Sequence, residues 1–148
     1  MSAWSLSNEL SQAEADIAFR WIAEESYWAK GLPRAFFDRS LANSLCFALR
    51  DAAGDLRGFA RVVTDRATFA YLCDVFVCPF VRGQGAGKAL MEAVMEHPDL
   101  QHLRRWMLVT KDAHSLYAKY GFEPPAHPER LMVRHDPDLY SRLNALEP

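Results

Sequence analysis

From Val81 to Leu90 the chain reads Val-Arg-Gly-Gln-Gly-Ala-Gly-Lys-Ala-Leu, with Gly83, Gly85 and Gly87 alternating between Arg82, Gln84 and Lys88. Glycine reaches backbone angles closed to other residues and lets main-chain N–H groups come close to a ligand. A strand-like run, Thr68 to Val77, leads into this turn, and an amphipathic run, Gly85 to Glu96, leaves it. A helix beginning there contributes unpaired N–H donors and a partial positive charge. Such a junction is an anion site suited to a pyrophosphate. A lone glycine would be read as a tight turn. Several at one strand-to-helix junction, with Arg82, Gln84 and Lys88 alongside, favour a bound anion. Arg82 and Lys88 also read as solvated charges, so the backbone donors carry more weight than the side chains.

Three phosphate-binding patterns compete for this segment. A P-loop requires Gly where the chain has Arg82, and Ser or Thr where it has Ala89. A dinucleotide fingerprint requires G-x-G-x-x-G after an early βαβ unit, whereas the spacing here is G-x-G-x-G in mid-chain. The remaining pattern, Arg-x-x-Gly-x-Gly, is met by Arg82, Gly85 and Gly87.

The elements that must position this turn can be read along the chain. Trp4 to Ser7 reads as a first strand. Ser11 and Glu14 have the form of a capping box, so a helix should begin there. Gly31 breaks it, and Pro33 suits the first turn of a second helix carrying Phe36, Phe37 and Leu41. Leu45 to Arg50 and Leu56 to Val63 read as a hairpin around Asp51–Asp55, followed by Thr68 to Val77. Period-two alternation predicts that Phe69, Tyr71, Cys73, Val75 and Val77 share one face of that strand. Ala70, Leu72, Asp74 and Phe76 then share the other. Both faces are largely apolar, so the strand belongs in mid-sheet. Within the next helix, Gly87, Leu90, Met91 and Val94 form the inner stripe. Arg105 to Val109 reads as a strand, Asp112 as the N-cap of a helix ending at Gly121, Leu131 to His135 as a last strand, and Asp136-Pro137 as the start of a terminal helix.

Composition bounds the function. A chain of 148 residues predicts a single domain spanning 1–148, large enough to fold without metal or disulfides. Net charge is −2, with 17 Lys and Arg against 19 Asp and Glu, which argues against nucleic acid as a partner. No apolar run has the length of a membrane span, so no membrane partner is expected. Cys46, Cys73 and Cys78 form no CxxC pair, so neither a zinc site nor any other metal is expected, and a cytoplasmic location fits.

The run Val77 to Leu90 resembles the acetyl-CoA-binding motif of the GNAT superfamily of acyl-CoA-dependent N-acyltransferases. Val77, Pro79, Arg82, Gly85, Gly87 and Leu90 match that motif position by position. A later family motif, a strand and then a helix ending Tyr-x-x-x-Gly-Phe, is matched by Tyr117, Gly121 and Phe122. The resemblance spans Leu45 to Phe122. It implies an α/β (α+β) GNAT-like fold: a central, mixed, largely antiparallel twisted sheet of about six to seven strands, flanked by about four to five helices. It implies acetyl-CoA as cosubstrate, with main-chain groups of Val75, Phe76 and Val77 on the pantetheine arm and the turn Arg82, Gly83, Gln84, Gly85, Ala86, Gly87 and Lys88 on the pyrophosphate. Tyr117 then protonates the departing thiolate, although its place on an apolar stripe equally suits a core residue. Thr110 stands where many members carry a cofactor-binding Asn.

Transfer to an amine also needs a proton acceptor, because an alkylamine has a pKa near ~10.4. Asp74, on the central strand, is the candidate base, with a hydrogen-bonded structural carboxylate as the equal alternative. His114 is a weaker candidate. Tyr27, Trp28 and Lys30 lie in the connection that often walls the acceptor cleft in this family; local packing is the competing role, favoured for Trp28. The expected activity is acetyl transfer from acetyl-CoA to a primary amine of a small molecule or protein by direct attack in a ternary complex. The alternatives are a non-catalytic acyl-CoA-binding or regulatory module of the same fold, and a nucleotide-binding protein. Family members are commonly homodimers, and the aromatic surface here would serve one.

Overall fold

Three long stretches rich in apolar residues become the centre of a sheet. In the computed structural model, which describes residues 3–146, the strands are β1 (Ser5–Ser7), β2 (Leu45–Arg50), β3 (Leu56–Thr64), β4 (Phe69–Val77) and β5 (Arg105–Met107). They lie side by side in chain order. The β1–β2, β2–β3 and β3–β4 contacts are antiparallel and β4–β5 is parallel. The sheet is therefore mixed and largely antiparallel, with β4 internal, as expected. The chain divides into two compact units, Met1–Leu108 and Val109–Pro148. All five strands belong to the first.

β4 departs from simple alternation. Arg61 pairs with Cys73, but Phe59 pairs with Phe76, so β4 carries one more residue than β3 between these points. This is a β-bulge. Asp74 lies within it at φ 54°, a left-handed conformation that Asp tolerates better than most residues. Arg61 and Phe59 share a face of β3, so their partners Cys73 and Phe76 share a face of β4. The expected grouping of Cys73 with Val75 and Val77 is thereby corrected: the extra residue reverses parity after Cys73.

The faces are covered by different helices. Helix α1 (Gln12–Arg20) runs into a π-helical turn, Trp21–Glu25, whose Trp21 ring stacks on Phe76 at 5.3 Å. Helix α2 (Arg34–Ala42) brings Phe37 to 6.2 Å from Phe59 on the same face. Helix α3 (Ala86–Glu96) packs against β2 and β3 through buried Leu90, Met91 and Val94. The following residue, His97, meets the ring of Phe47 edge-on.

The capping box forms as expected: Glu14 N–H donates to Ser11 Oγ, and Ser11 N–H to Glu14 Oε1. Glu14 does more than cap. Arg50, at the end of β2, donates from Nε and Nη2 to its two oxygens at 2.7 and 2.8 Å. The same guanidinium reaches Ser7 Oγ and Glu9 O, so one side chain joins β1, the start of α1 and β2.

The second unit holds α4 (His114–Ala118) and α5 (Leu139–Ala145). The N-cap of α4 is Ala113 rather than the expected Asp112, and no side chain caps the helix; Thr110 Oγ1 accepts the Ala113 N–H just before it. α5 begins two residues after Pro137, behind an Asp136–Arg142 ion pair. Leu131 to His135 is exposed and forms no strand, so the described residues contain five strands rather than six to seven. Apolar, β-branched composition favours a strand only where a ladder partner lies alongside.

The Arg50 hydrogen bonds hold the Glu14 carboxyl down at about 2, against an ordinary value of 4.5. A carboxyl whose pKa falls on folding stabilises the fold above its unfolded value and loses that contribution as pH drops through the folded one. Glu14→Gln should cost about 2 kcal/mol at neutral pH, with the gap to wild type closing between pH 4.5 and 2. Urea unfolding across that range measures both.

Candidate active site

β4 supplies an open edge. Its parallel pairing with β5 covers only Phe69, Tyr71 and the Ala70 between them, while β4 continues to Val77. A bulge bends its strand and increases the local twist, so a straight neighbour cannot follow. Among the described residues no strand faces the outer edge of Leu72 to Val77. Val75, Phe76 and Val77 lie in this stretch of β4 that no strand pairs on its outer side.

A 3-10 turn, Pro79–Val81, then leads into the glycines. Gly83 and Gly85 have φ of 82° and 84°, where a side chain would be strained. Gly85 occupies the N-cap of α3 with no side chain to cap the helix. The first backbone bond of the helix runs from Ala89 N–H to Gly85 O at 3.0 Å. The N–H groups of Ala86, Gly87 and Lys88 consequently have no carbonyl four residues back to receive them. Gly87 differs from its neighbours. Its φ is not in the left-handed range, and a Cβ built on it would meet nothing within 4 Å. It is not part of the buried stripe, which Ala86 joins instead. Folding gives no reason for glycine there; a ligand lying over the helix start would.

The side chains around the turn brace it. Arg82 donates from Nε to Val77 O at 3.1 Å and lies over the Phe76 ring. Trp4 donates its indole N–H to Gln84 O. Lys88 is exposed, with Nζ 3.9 Å from Glu92 Oε1.

The bulge turns Asp74 toward the π-helical side. Its carboxylate is 9 % exposed. Oδ1 accepts the Trp28 indole N–H at 2.9 Å, and Oδ2 accepts Arg61 Nε at 2.8 Å. Arg61 also donates to Ser44 Oγ. Trp28 is 43 % exposed and Tyr27 52 %, their rings perpendicular at 5.1 Å. Lys30 is exposed. Two predicted site residues, Asp74 and Trp28, are thus directly bonded. Arg61 and Ser44 were not anticipated; the available signal was a lone Arg between apolar neighbours in mid-strand, which demands a buried partner. Cys46 and Cys73 flank Arg61 on the adjoining strands. Burial pushes their thiols up to about 11 and about 12, away from nucleophilic chemistry.

In the second unit, Tyr117 is buried on α4. Gly121, at φ 90°, turns the chain so that Phe122 N–H donates to Tyr117 O, and the two rings meet at 6.1 Å. Thr110 serves the start of the same helix. His114 is exposed. Among the described residues no cluster of His, Cys, Asp or Glu could hold a metal ion, and no helix is long and apolar enough to cross a membrane.

The profile of the acetyltransferase (GNAT) family matches residues 10–122. The chain belongs to the GNAT acetyltransferase family. A GNAT-family protein of known structure from Xanthomonas campestris pv. campestris is 50% identical, with a TM-score of 0.90 over 95% of this chain and 99% of that one. A Gibberella zeae protein assigned as an acetyltransferase is 32% identical over 111 residues, a match spanning 63% of each protein. The fold, at 15% identity and a TM-score of 0.69, is shared with N-acetylglutamate synthase from Neisseria gonorrhoeae, solved with coenzyme A and N-acetyl-glutamate; that match covers 99% of this chain and 33% of that one.

The GNAT turn separates two uses of glycine. Gly85→Ala should lower stability by about 1 kcal/mol through left-handed strain. Gly87→Ala should leave it unchanged or raise it by up to about 1 kcal/mol. Denaturant midpoints of the two variants give the comparison.

Proposed function

We propose that this protein is an acetyl-CoA-dependent N-acetyltransferase acting on a primary amine of a small molecule or protein. The observation that carries the reading is the pairing of an open β4 edge with a glycine turn whose N–H groups and unfilled space at Gly87 suit a pyrophosphate. Family membership supports acetyl-CoA as the donor.

In this reading the N–H groups from Gly83 to Lys88 hold the pyrophosphate, and Val75, Phe76 and Val77 align the pantetheine arm through main-chain bonds. The amine nitrogen attacks the thioester carbonyl carbon. A C–N bond forms, the C–S bond breaks, and the amine loses a proton as the thiolate gains one. Tyr117, by its place in the motif, donates to the thiolate. Thr110 is assigned to the cofactor side on the same basis. Tyr27, Trp28 and Lys30 line the acceptor approach. Asp74 was expected to accept the amine proton. Both of its oxygens already accept hydrogen bonds, which favours a holding role, with the amine proton passing to water.

The test is thiol release from acetyl-CoA with a panel of polyamines, amino acids and lysine-containing peptides. Turnover should be seen with at least one class. Tyr117→Phe should cut kcat by about a hundredfold while CoA affinity, measured by calorimetry, stays close to wild type. Gly87→Ala should do the reverse, weakening CoA binding in a protein that is no less stable. Tight CoA binding with no turnover on any amine would make the chain an acyl-CoA-binding module.

A further inference from the structure

We infer that Asp74 is a positioning residue: neutralised by Arg61, it tethers Trp28, and through Trp28 the whole 26–31 connection, to the bulge in β4. The connection is also tied back to the π-helical turn, Ser26 N–H donating to Trp21 O at 2.9 Å. Ser26, buried, donates from Oγ to Ile22 O at 2.6 Å and accepts the Ala29 N–H at 3.2 Å. Gly31, at φ 83°, donates its N–H to Ala23 O at 3.0 Å. These bonds return to the π-helical turn. The bond from Trp28 Nε1–H to Asp74 Oδ1 joins the tip of this connection to β4.

The carboxylate suits this task better than proton transfer. Oδ1 faces the Trp28 indole N–H and Oδ2 the Arg61 guanidinium, which also donates to Ser44 Oγ, so each oxygen is held by a donor fixed in the fold. The residue must also tolerate the left-handed φ of the bulge, which Asp does more readily than Glu. Bulge geometry, charge compensation and the indole bond therefore converge on one side chain. Its effect on catalysis is exerted through the placement of Tyr27 and Trp28, so it belongs to acceptor binding. This kinetic consequence rests on the acetyltransferase reading; the tether itself does not.

Two measurements on the full chain decide the matter. The first is amide hydrogen exchange of Trp28→Phe, which removes the indole N–H and leaves the Arg61–Asp74 pair in place. Exchange at Ala29 and Gly31 should accelerate about tenfold, with Leu90 to Val94 unchanged. Unchanged exchange at Ala29 and Gly31 overturns the tether, whatever the enzyme does. The second is a double-mutant cycle of Trp28→Phe and Asp74→Asn, using the amine from the panel that gives the fastest thiol release. Each single variant should raise the amine KM about tenfold, leave the acetyl-CoA KM alone, and add nothing to the other in the double variant. A fall in kcat of about a hundredfold or more in Asp74→Asn, persisting when Trp28 is Phe, overturns positioning in favour of general base catalysis. If no amine turns over in wild type, the acetyltransferase reading fails and hydrogen exchange alone decides the tether. Should Asp74→Asn fail to fold, Trp28→Phe carries both arms.

Discussion

One extra residue in β4 sets the terms for the rest of the site. The bulge at Asp74 reverses which side chains face which layer, so that Asp74 and Phe76 turn toward the π-helical segment, where Trp21 and Trp28 meet them. It follows closely on the last β4–β5 pair, at Tyr71 and Met107. Beyond that point the outer edge of β4 faces no strand among the described residues. A regular strand would bury this edge in a ladder and send Asp74 to the opposite face. The same irregularity lies beside an unpaired strand edge and anchors the aromatic connection next to it.

The turn that follows works by local geometry. The protein carries a net charge of −2, so its general field does not draw in a polyanion. What the segment offers instead is left-handed backbone at Gly83 and Gly85 and a start of α3 that no side chain caps. Arg82 is bent back onto Val77 O and Phe76, and Trp4 braces the Gln84 carbonyl. These contacts stiffen the turn at the point where it leaves β4. A preorganised set of donors gives up less conformational entropy on binding than flexible cationic side chains do.

Much of this could be read from local chemistry. The capping box at Ser11 and Glu14, the hairpin strands and the glycine turn each follow from a few neighbouring residues, and each stands where expected. What escaped prediction is non-local. The bulge depends on how β4 pairs with β3, and nothing in Cys73-Asp74-Val75 marks an inserted residue. The bond between Trp28 and Asp74 spans 46 positions. The double role of Glu14 as cap and as partner of Arg50 spans 36. Leu131 to His135 has the composition of a strand, but composition does not supply a neighbour to pair with. Asp112 does not cap α4 because the helix begins one residue later than the side-chain pattern suggested, with Ala113 at the N-cap and no side-chain cap.

The central claim is that the main chain from Val75 to Lys88 is a coenzyme A site. It is tested most directly by titrating the isotope-labelled protein with CoA and following backbone amide resonances. The amides of Gly83, Gly85, Ala86, Gly87 and Lys88 should shift together, saturating at one CoA per chain, with Val75 and Val77 moving in the same titration and ATP or NAD failing to reproduce the pattern. Saturable CoA binding that leaves those amides in place, or stronger shifts with ATP or NAD than with CoA, would contradict it.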